Sequence, residues 1–205
     1  KGVSVEVPSR RILTVVGPNG SGKSTLIKAL AGIVPARGGT IRLFGKDVTR
    51  MPAARRVNEG LAYVPQEHNE FLSSARASAK AQRERVLAMF PDVASRLSLL
   101  AGNLSGGQRQ MLAFACAMMS APEVLLLDEP SAGLSPRYVQ DIFGAVRTVK
   151  EALITVFMIE QNVAAALPFS DVALVLVAGE VRLVTAADRL LAEHDLNRLY
   201  LGEVA

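Results

Sequence analysis

Gly17-Pro18-Asn19-Gly20-Ser21-Gly22-Lys23-Ser24-Thr25 is the stretch from which the rest of the chain can be read. It satisfies the pattern G-x-x-x-x-G-K-[ST] in a fitting context. An apolar, β-branched run at residues 12–16 precedes it, and Leu26, Ile27, Leu30 and Ala31 follow at helical spacing. Strand, loop and helix therefore succeed one another. Glycines at 17, 20 and 22 let the backbone turn sharply, so that N–H groups across Gly17, Asn19, Gly20, Ser21 and Gly22 approach phosphate oxygens at the positive end of a helix. Lys23 then reaches the β- and γ-phosphates of a nucleotide, Ser24 ligates Mg²⁺, and Thr25 bonds the α-phosphate. An incidental glycine-rich turn would lack the flanking strand and helix.

Val124-Leu125-Leu126-Leu127-Asp128-Glu129-Pro130 supplies the partner that such a loop needs. An apolar run ending in acids fits a buried parallel strand that delivers Asp128 to the sheet edge, where it holds the Mg²⁺ hydration shell. Glu129, one residue on, is placed to polarise an attacking water. Alone, the stretch reads as a core strand capped by solvated acids; the phosphate loop upstream reverses that reading.

Leu104-Ser105-Gly106-Gly107-Gln108-Arg109-Gln110 stands shortly before the acidic strand. Ser105, Gly106 and Gly107 open a helix running to about Met119, which makes a second anion-binding end of N–H groups and a dipole. With this signature in that order, essentially the whole chain resembles the ATP-binding subunit of an ABC transporter. The resemblance implies an α/β P-loop NTPase core with an antiparallel β edge and an inserted helical subdomain, spanning residues 1–205 as one domain. It implies ATP and Mg²⁺ as cofactors, and a head-to-tail pair with a second ATP-binding subunit, identical or related. One subunit's signature (Ser105, Gly106, Gly107, Gln108) would clamp the γ-phosphate held by the other's Lys23 loop. Catalysis would rest on Glu129 as base with Lys23, Gln66 and Gln161, and the metal on Ser24, Gln66 and Asp128.

Gln66 ends Tyr63-Val64-Pro65-Gln66 and matches the family's glutamine loop, which touches Mg²⁺ or the water. Ser131-Ala132-Gly133-Leu134-Ser135-Pro136 fills the place of the loop that crosses the dimer interface, with Ser135 near the position of its usual aspartate. After the strand at 154–159 the family generally has a histidine on the γ-phosphate, whereas this chain reads Glu160-Gln161-Asn162. Gln161 can still donate a hydrogen bond there but cannot become imidazolium or relay a proton. Asp128-Glu129-Pro130-Ser131-Ala132-Gly133-Leu134-Ser135-Pro136 together with Glu160-Gln161-Asn162-Val163 and the closing Leu199-Tyr200-Leu201-Gly202 resembles the ATPases of branched-chain amino acid importers. Lipid or lipopolysaccharide exporter ATPases share most of these motifs. A soluble ABC ATPase acting on DNA or ribosomes is the remaining class, against which stand the absence of a long coiled-coil insertion and of a second cassette. Nucleic acid is accordingly not expected as a partner.

No aromatic residue precedes Gly17, and the chain begins with Lys1 rather than methionine, so the adenine-stacking residue is expected upstream of Lys1. The stretch from Gln66 to Ser105 is shorter than the family's usual one, and Glu70-Phe71-Leu72 breaks abruptly. Strands are expected at 3–7, 12–16, 41–44, 61–64, 124–127, 154–159, 172–177 and 180–184, the last two joined by a hairpin turn at Ala178-Gly179. The helical subdomain is expected at about 71–119, including a helix over about 75–100 with Val86, Leu87, Met89 and Phe90 inward and Arg76, Lys80, Arg83 and Arg85 outward. Two short helices should close the chain.

The 205 residues are half apolar, with 23 basic against 19 acidic side chains, a net charge of +4. That balance suits an anionic membrane surface without requiring one. The lone Cys116 sits among apolar helix residues and reads as packing, and His68 and His194 read as ordinary polar positions. No apolar run approaches the roughly 18 residues of a spanning helix. The pathway across the membrane would then belong to transmembrane permease subunits docked near the segment after Gln66, with a periplasmic substrate-binding protein as an indirect partner. The chain would sit peripherally on the cytoplasmic face of the inner membrane.

Overall fold

The computed structural model describes residues 2–66 and 79–192. In chain order its elements are β1 (Ile12–Val16), α1 (Lys23–Ala31), β2 (Arg42–Leu43), β3 (Lys46–Asp47), α2 (Ala53–Asn58), β4 (Leu61–Val64), α3 (Ala79–Met89), α4 (Pro91–Ala94), α5 (Gly106–Met118), β5 (Val124–Asp128), α6 (Pro136–Glu151), β6 (Thr155–Ile159), α7 (Val163–Ala166), β7 (Val172–Val177), β8 (Glu180–Ala186) and α8 (Ala187–Ala192).

Six strands form one sheet in the order β4-β5-β6-β1-β7-β8, parallel except for β8. Side chains alternate between its faces, with one register shift where β7 pairs with β8 at Val175/Leu176. Leu125, Leu127, Val156 and Met158 join one core cluster with Phe114 of α5 and Phe143 of α6. Leu126, Phe157 and Ile159 join a second with Ile27 and Ala31 of α1. Helices on both faces explain why β1, β4 and β6 are buried throughout and read as continuous apolar runs. α6 buries Val139, Ile142, Phe143, Val146 and Val149, one stripe at helical spacing, and Phe143 stacks on Phe169 with ring centroids 5.4 Å apart.

Because β1, β4, β5 and β6 are parallel, their C-terminal ends share one edge. The register is tight: Val15 and Asp128 both lie opposite Ile159, and Val64 opposite Leu127. Every loop the sequence assigns to nucleotide chemistry, apart from the signature, leaves from that edge.

Several expectations need correction. Residues 3–7 alternate inward, with Val3, Val5 and Val7 packed against the second cluster, yet they form no strand. The antiparallel edge reduces to the hairpin β2–β3, whose turn residues Phe44 and Gly45 both have positive φ. The helix expected over 75–100 is broken at Phe90-Pro91 into α3 and α4, because proline cannot donate to the preceding turn. Its inward set is as expected: Val86 and Phe90 are buried, with Leu87 and Met89 packed beside them, while Lys80, Arg83 and Arg85 are exposed. Of the two closing helices, α8 lies within the described residues. His68, Glu70, Phe71, Leu72, Arg76, His194 and the stretch 199–202 lie outside them, as does the expected docking segment directly after Gln66.

Candidate nucleotide site

The loop between β1 and α1 is shaped by a close approach: a Cβ on Gly17 would lie 2.0 Å from the Leu176 carbonyl oxygen of β7. The turn of the β7–β8 hairpin supports the same loop, with Gly179 N–H donating to the Ser21 carbonyl at 2.9 Å. Gly22, in a left-handed conformation, begins α1 without a side-chain cap. The opening N–H groups of that helix thus lack a side-chain acceptor, as a phosphate cradle requires. Lys23 is buried, and its Nζ donates to the carbonyls of Gly17 (2.8 Å) and Pro18 (3.0 Å). Burial pulls its ammonium below the ordinary lysine value, against the opposing attraction of Glu129 and Asp128. Ser24 is half-buried, and Asn19, Gly20 and Thr25 are exposed.

Asp128, the last residue of β5, is 3% exposed. Its Oδ2 accepts from the Tyr63 hydroxyl at 3.2 Å, and its Oδ1 has no hydrogen-bond partner. Burial pushes the carboxyl above the usual carboxylate range, Glu129 adds to the rise, and Tyr63, Lys28 and Lys23 counter it. An orphaned carboxylate oxygen beside a phosphate loop, with the buried Ser21 Oγ also unpartnered, fits a Mg²⁺-nucleotide.

Glu129 follows with φ of 48°, a left-handed conformation rare outside glycine and a local strain of the kind found at functional sites. Its N–H donates to the Ile159 carbonyl at 3.0 Å, which anchors the strained residue to β6. The single Nε2 of Gln161 donates to both Glu129 carboxylate oxygens, each at 2.8 Å. Gln161, expected on a γ-phosphate, is therefore placed on the carboxylate of Glu129. Gln66 is exposed two residues beyond β4, on the same edge.

The signature opens α5, with Gly106 facing Leu134 of the loop after β5. Ser105 and Gln108 form a reciprocal capping box: Ser105 Oγ accepts from Gln108 N–H at 3.3 Å, and Gln108 Oε1 accepts from Ser105 N–H at 2.9 Å. Gly107 lies under the Tyr138 ring of α6, where a Cβ would come within 2.2 Å of ring carbon. Ser105 Oγ also donates to the Tyr138 hydroxyl at 3.3 Å. Ser135 caps α6 without a side-chain bond.

Sequence reasoning used Glu160 only as a subfamily marker and passed over Tyr63 as a partner of Asp128. Glu160 is 1% exposed and accepts from the N–H groups of Ser131 (2.9 Å), Gln161 (3.1 Å) and Asn162 (3.3 Å). Burial raises its carboxyl, and those hydrogen bonds oppose the rise. Its signal was an acid closing an apolar strand, the pattern already noted at Asp128.

Fold and edge residues together define a phosphate-loop nucleotide hydrolase. The family described as ABC transporter matches residues 1–132. The probable branched-chain amino acid transport ATP-binding protein LivF of Archaeoglobus fulgidus is 37% identical, over 98% of this chain and 92% of its own. The high-affinity branched-chain amino acid transport ATP-binding protein BraG of Pseudomonas aeruginosa is 36% identical, over 98% and 91%. The lipopolysaccharide export ATP-binding protein LptB of Haemophilus influenzae is 29% identical, over 98% and 90%. Among solved structures, the ADP conformation of MJ1267, an ATP-binding cassette of an ABC transporter, superposes with a TM-score of 0.84 at 26% identity, over 98% of this chain and 92% of that one. The chain belongs to the ABC transporter family, as an ATP-binding and ATP-hydrolysing member. Among the described residues no helix is long and apolar enough to cross a membrane.

Proposed function

We propose that this chain powers an importer of branched-chain or other hydrophobic amino acids. The observation that carries the reading is that its amino acid transport relatives reach 37% and 36% identity across 98% of the chain, against 29% for the lipopolysaccharide exporter relative at the same coverage. The Glu160-Gln161-Asn162 triplet supports it. As an importer subunit it would work as one of two ATP-binding subunits on the cytoplasmic face of the membrane, with permease subunits and, indirectly, a periplasmic receptor.

ATP phosphates would lie on the N–H groups of Gly17 to Thr25. Lys23 would exchange its loop carbonyls for the β- and γ-phosphate oxygens. Ser24 and Asp128, with Gln66, would hold Mg²⁺, which when bound offsets charge on the β- and γ-oxygens. Glu129 would accept the proton of a water attacking in line. Gln161 Nε2 shares one amide hydrogen between the two Glu129 oxygens, so its second amide hydrogen would be left for a γ-phosphate. Ser105, Gly106, Gly107 and Gln108 would meet the γ-phosphate of the opposing subunit.

The test is to purify the complex from its native membrane through a tag on this chain and identify the co-purifying proteins. Two multispanning subunits and an amino acid receptor are expected. Lipid-export partners would favour the exporter reading suggested by LptB, and ribosomes or DNA with no membrane protein would remove the transport assignment.

A further inference from the structure

Three main-chain N–H groups converge on one buried side chain where the reaction is expected. Glu160 continues the sheet past β6, its own N–H donating to the Val15 carbonyl at 3.1 Å. Its side chain turns inward, with Oε1 on the N–H of Ser131 and Oε2 on those of Gln161 and Asn162. Ser131 lies two residues past Glu129, on a loop 29 residues away in sequence. Glu129 and Gln161 meet through their side chains just above. We propose that Glu160 is the positioning residue of the hydrolytic centre: one carboxylate ties the loop after β5 to the loop after β6 and so sets the distance between Glu129 and Gln161. The inference rests on the reading of Glu129 as base.

A carboxylate is the group this task needs. Two oxygens, both acceptors, face donors from both loops, and no donor on the side chain opposes them. A glutamine of the same shape offers one acceptor and an NH₂ group, so one loop would face a donor where it had an acceptor. An apolar residue would leave all three N–H groups without this acceptor. Burying a carboxylate is a costly way to fill space, and its compensation here is fixed geometry: three main-chain N–H groups hold it, with the Ser131 side chain beside them. Glu160 is too buried to reach a nucleotide, so its effect must pass through Glu129 and Gln161.

The experiment compares Glu160→Gln with Glu129→Gln in the purified full-length protein, measuring ATP affinity and turnover separately. In Glu160→Gln, kcat is expected to fall about tenfold to a hundredfold while ATP affinity stays within about threefold, because misplacement of a reacting group costs rate rather than binding. A double variant with Gln161→Ala should lose little more than the worse single variant, since both changes act on Glu129. If Glu160→Gln fails to fold, Glu160→Asp, charged but one methylene short of spanning both loops, is expected to show the same split. Unchanged kcat in a folded variant, or losses that multiply in the double variant, overturns the proposal. Normal turnover in Glu129→Gln removes the base reading and this proposal with it; loss there with normal turnover in Glu160→Gln removes this proposal alone.

Discussion

Asp128 holds its two oxygens in unlike surroundings, Oδ2 on the Tyr63 hydroxyl and Oδ1 buried without a partner. Burial raises its carboxyl above the ordinary range, so folding favours the protonated form. The stability it contributes is fully present below the unfolded carboxylate value and is lost as pH rises through the higher folded value. At neutral pH the charged group therefore opposes folding until a cation arrives. Asp128→Asn, neutral at every pH, should raise the nucleotide-free melting temperature at pH 7, by an amount corresponding to about 1 kcal/mol or more. The gain should shrink as pH falls toward about 4, where free aspartate protonates. Mg²⁺-dependent hydrolysis should be lost in the same variant. Equal melting temperatures across that range would show that Asp128 is not held at a cost. Asp128 and Glu129 were legible in sequence because each closes an apolar strand beside a known loop motif. The amide of Gln161 on Glu129 was not, because the pair lie 32 residues apart and nothing local specifies which way the glutamine turns.

At the scale of the element, α1 is open at one end and held at the other by a group outside it. Its N-terminus is left without a side-chain cap, and its C-terminus ends at Gly32, with φ of 78°. Arg56, buried on α2, donates to the Ala29 and Leu30 carbonyls at 2.7 Å each, and to those of Met51 and Thr49 at 2.8 and 3.0 Å. One guanidinium thus satisfies the Leu30 carbonyl at the end of α1 and joins the Gly32 N–H on that of Ala29. Arg56→Met should remove these bonds and lower stability by roughly 3 kcal/mol, as charged hydrogen bonds and buried acceptors are lost together. ATP affinity of the folded fraction should stay within about threefold, because Lys23 stands at the opposite end of the helix. A collapse of affinity without loss of melting temperature would contradict this. The helix itself was plain from the spacing of Leu26, Ile27, Leu30 and Ala31. Its arginine cap was invisible, since a charged residue on a short helix reads by default as solvated. Residues 3–7 show the opposite failure. Their alternation correctly marks an inward face, but a strand also needs a partner, and periodicity carries no information about one.

At the scale of the whole molecule, the phosphate loop and signature belong to different neighbourhoods of one chain. The loop is fastened to β7 and the β7–β8 turn through Gly17 and Gly179, while the signature is fastened to α6 through Tyr138. Ser105 is exposed at a helix end whose capping box is already satisfied within the chain. Such an end is complete as structure and open as an anion site, so its ligand must come from outside the chain. A second subunit supplies one if each phosphate loop carries ATP to the other's signature, the head-to-tail arrangement expected of this family. Closure should then depend on bound ATP and on Ser105, but not on hydrolysis. Glu129→Gln protein, which should retain ATP, is expected to sediment as a dimer with ATP and as a monomer without it. Adding Ser105→Glu puts a negative charge where the γ-phosphate must dock; the double variant should bind ATP with unchanged affinity yet remain monomeric. Dimers formed equally well without nucleotide, or undisturbed by Ser105→Glu, would mean that the subunits meet through some other face.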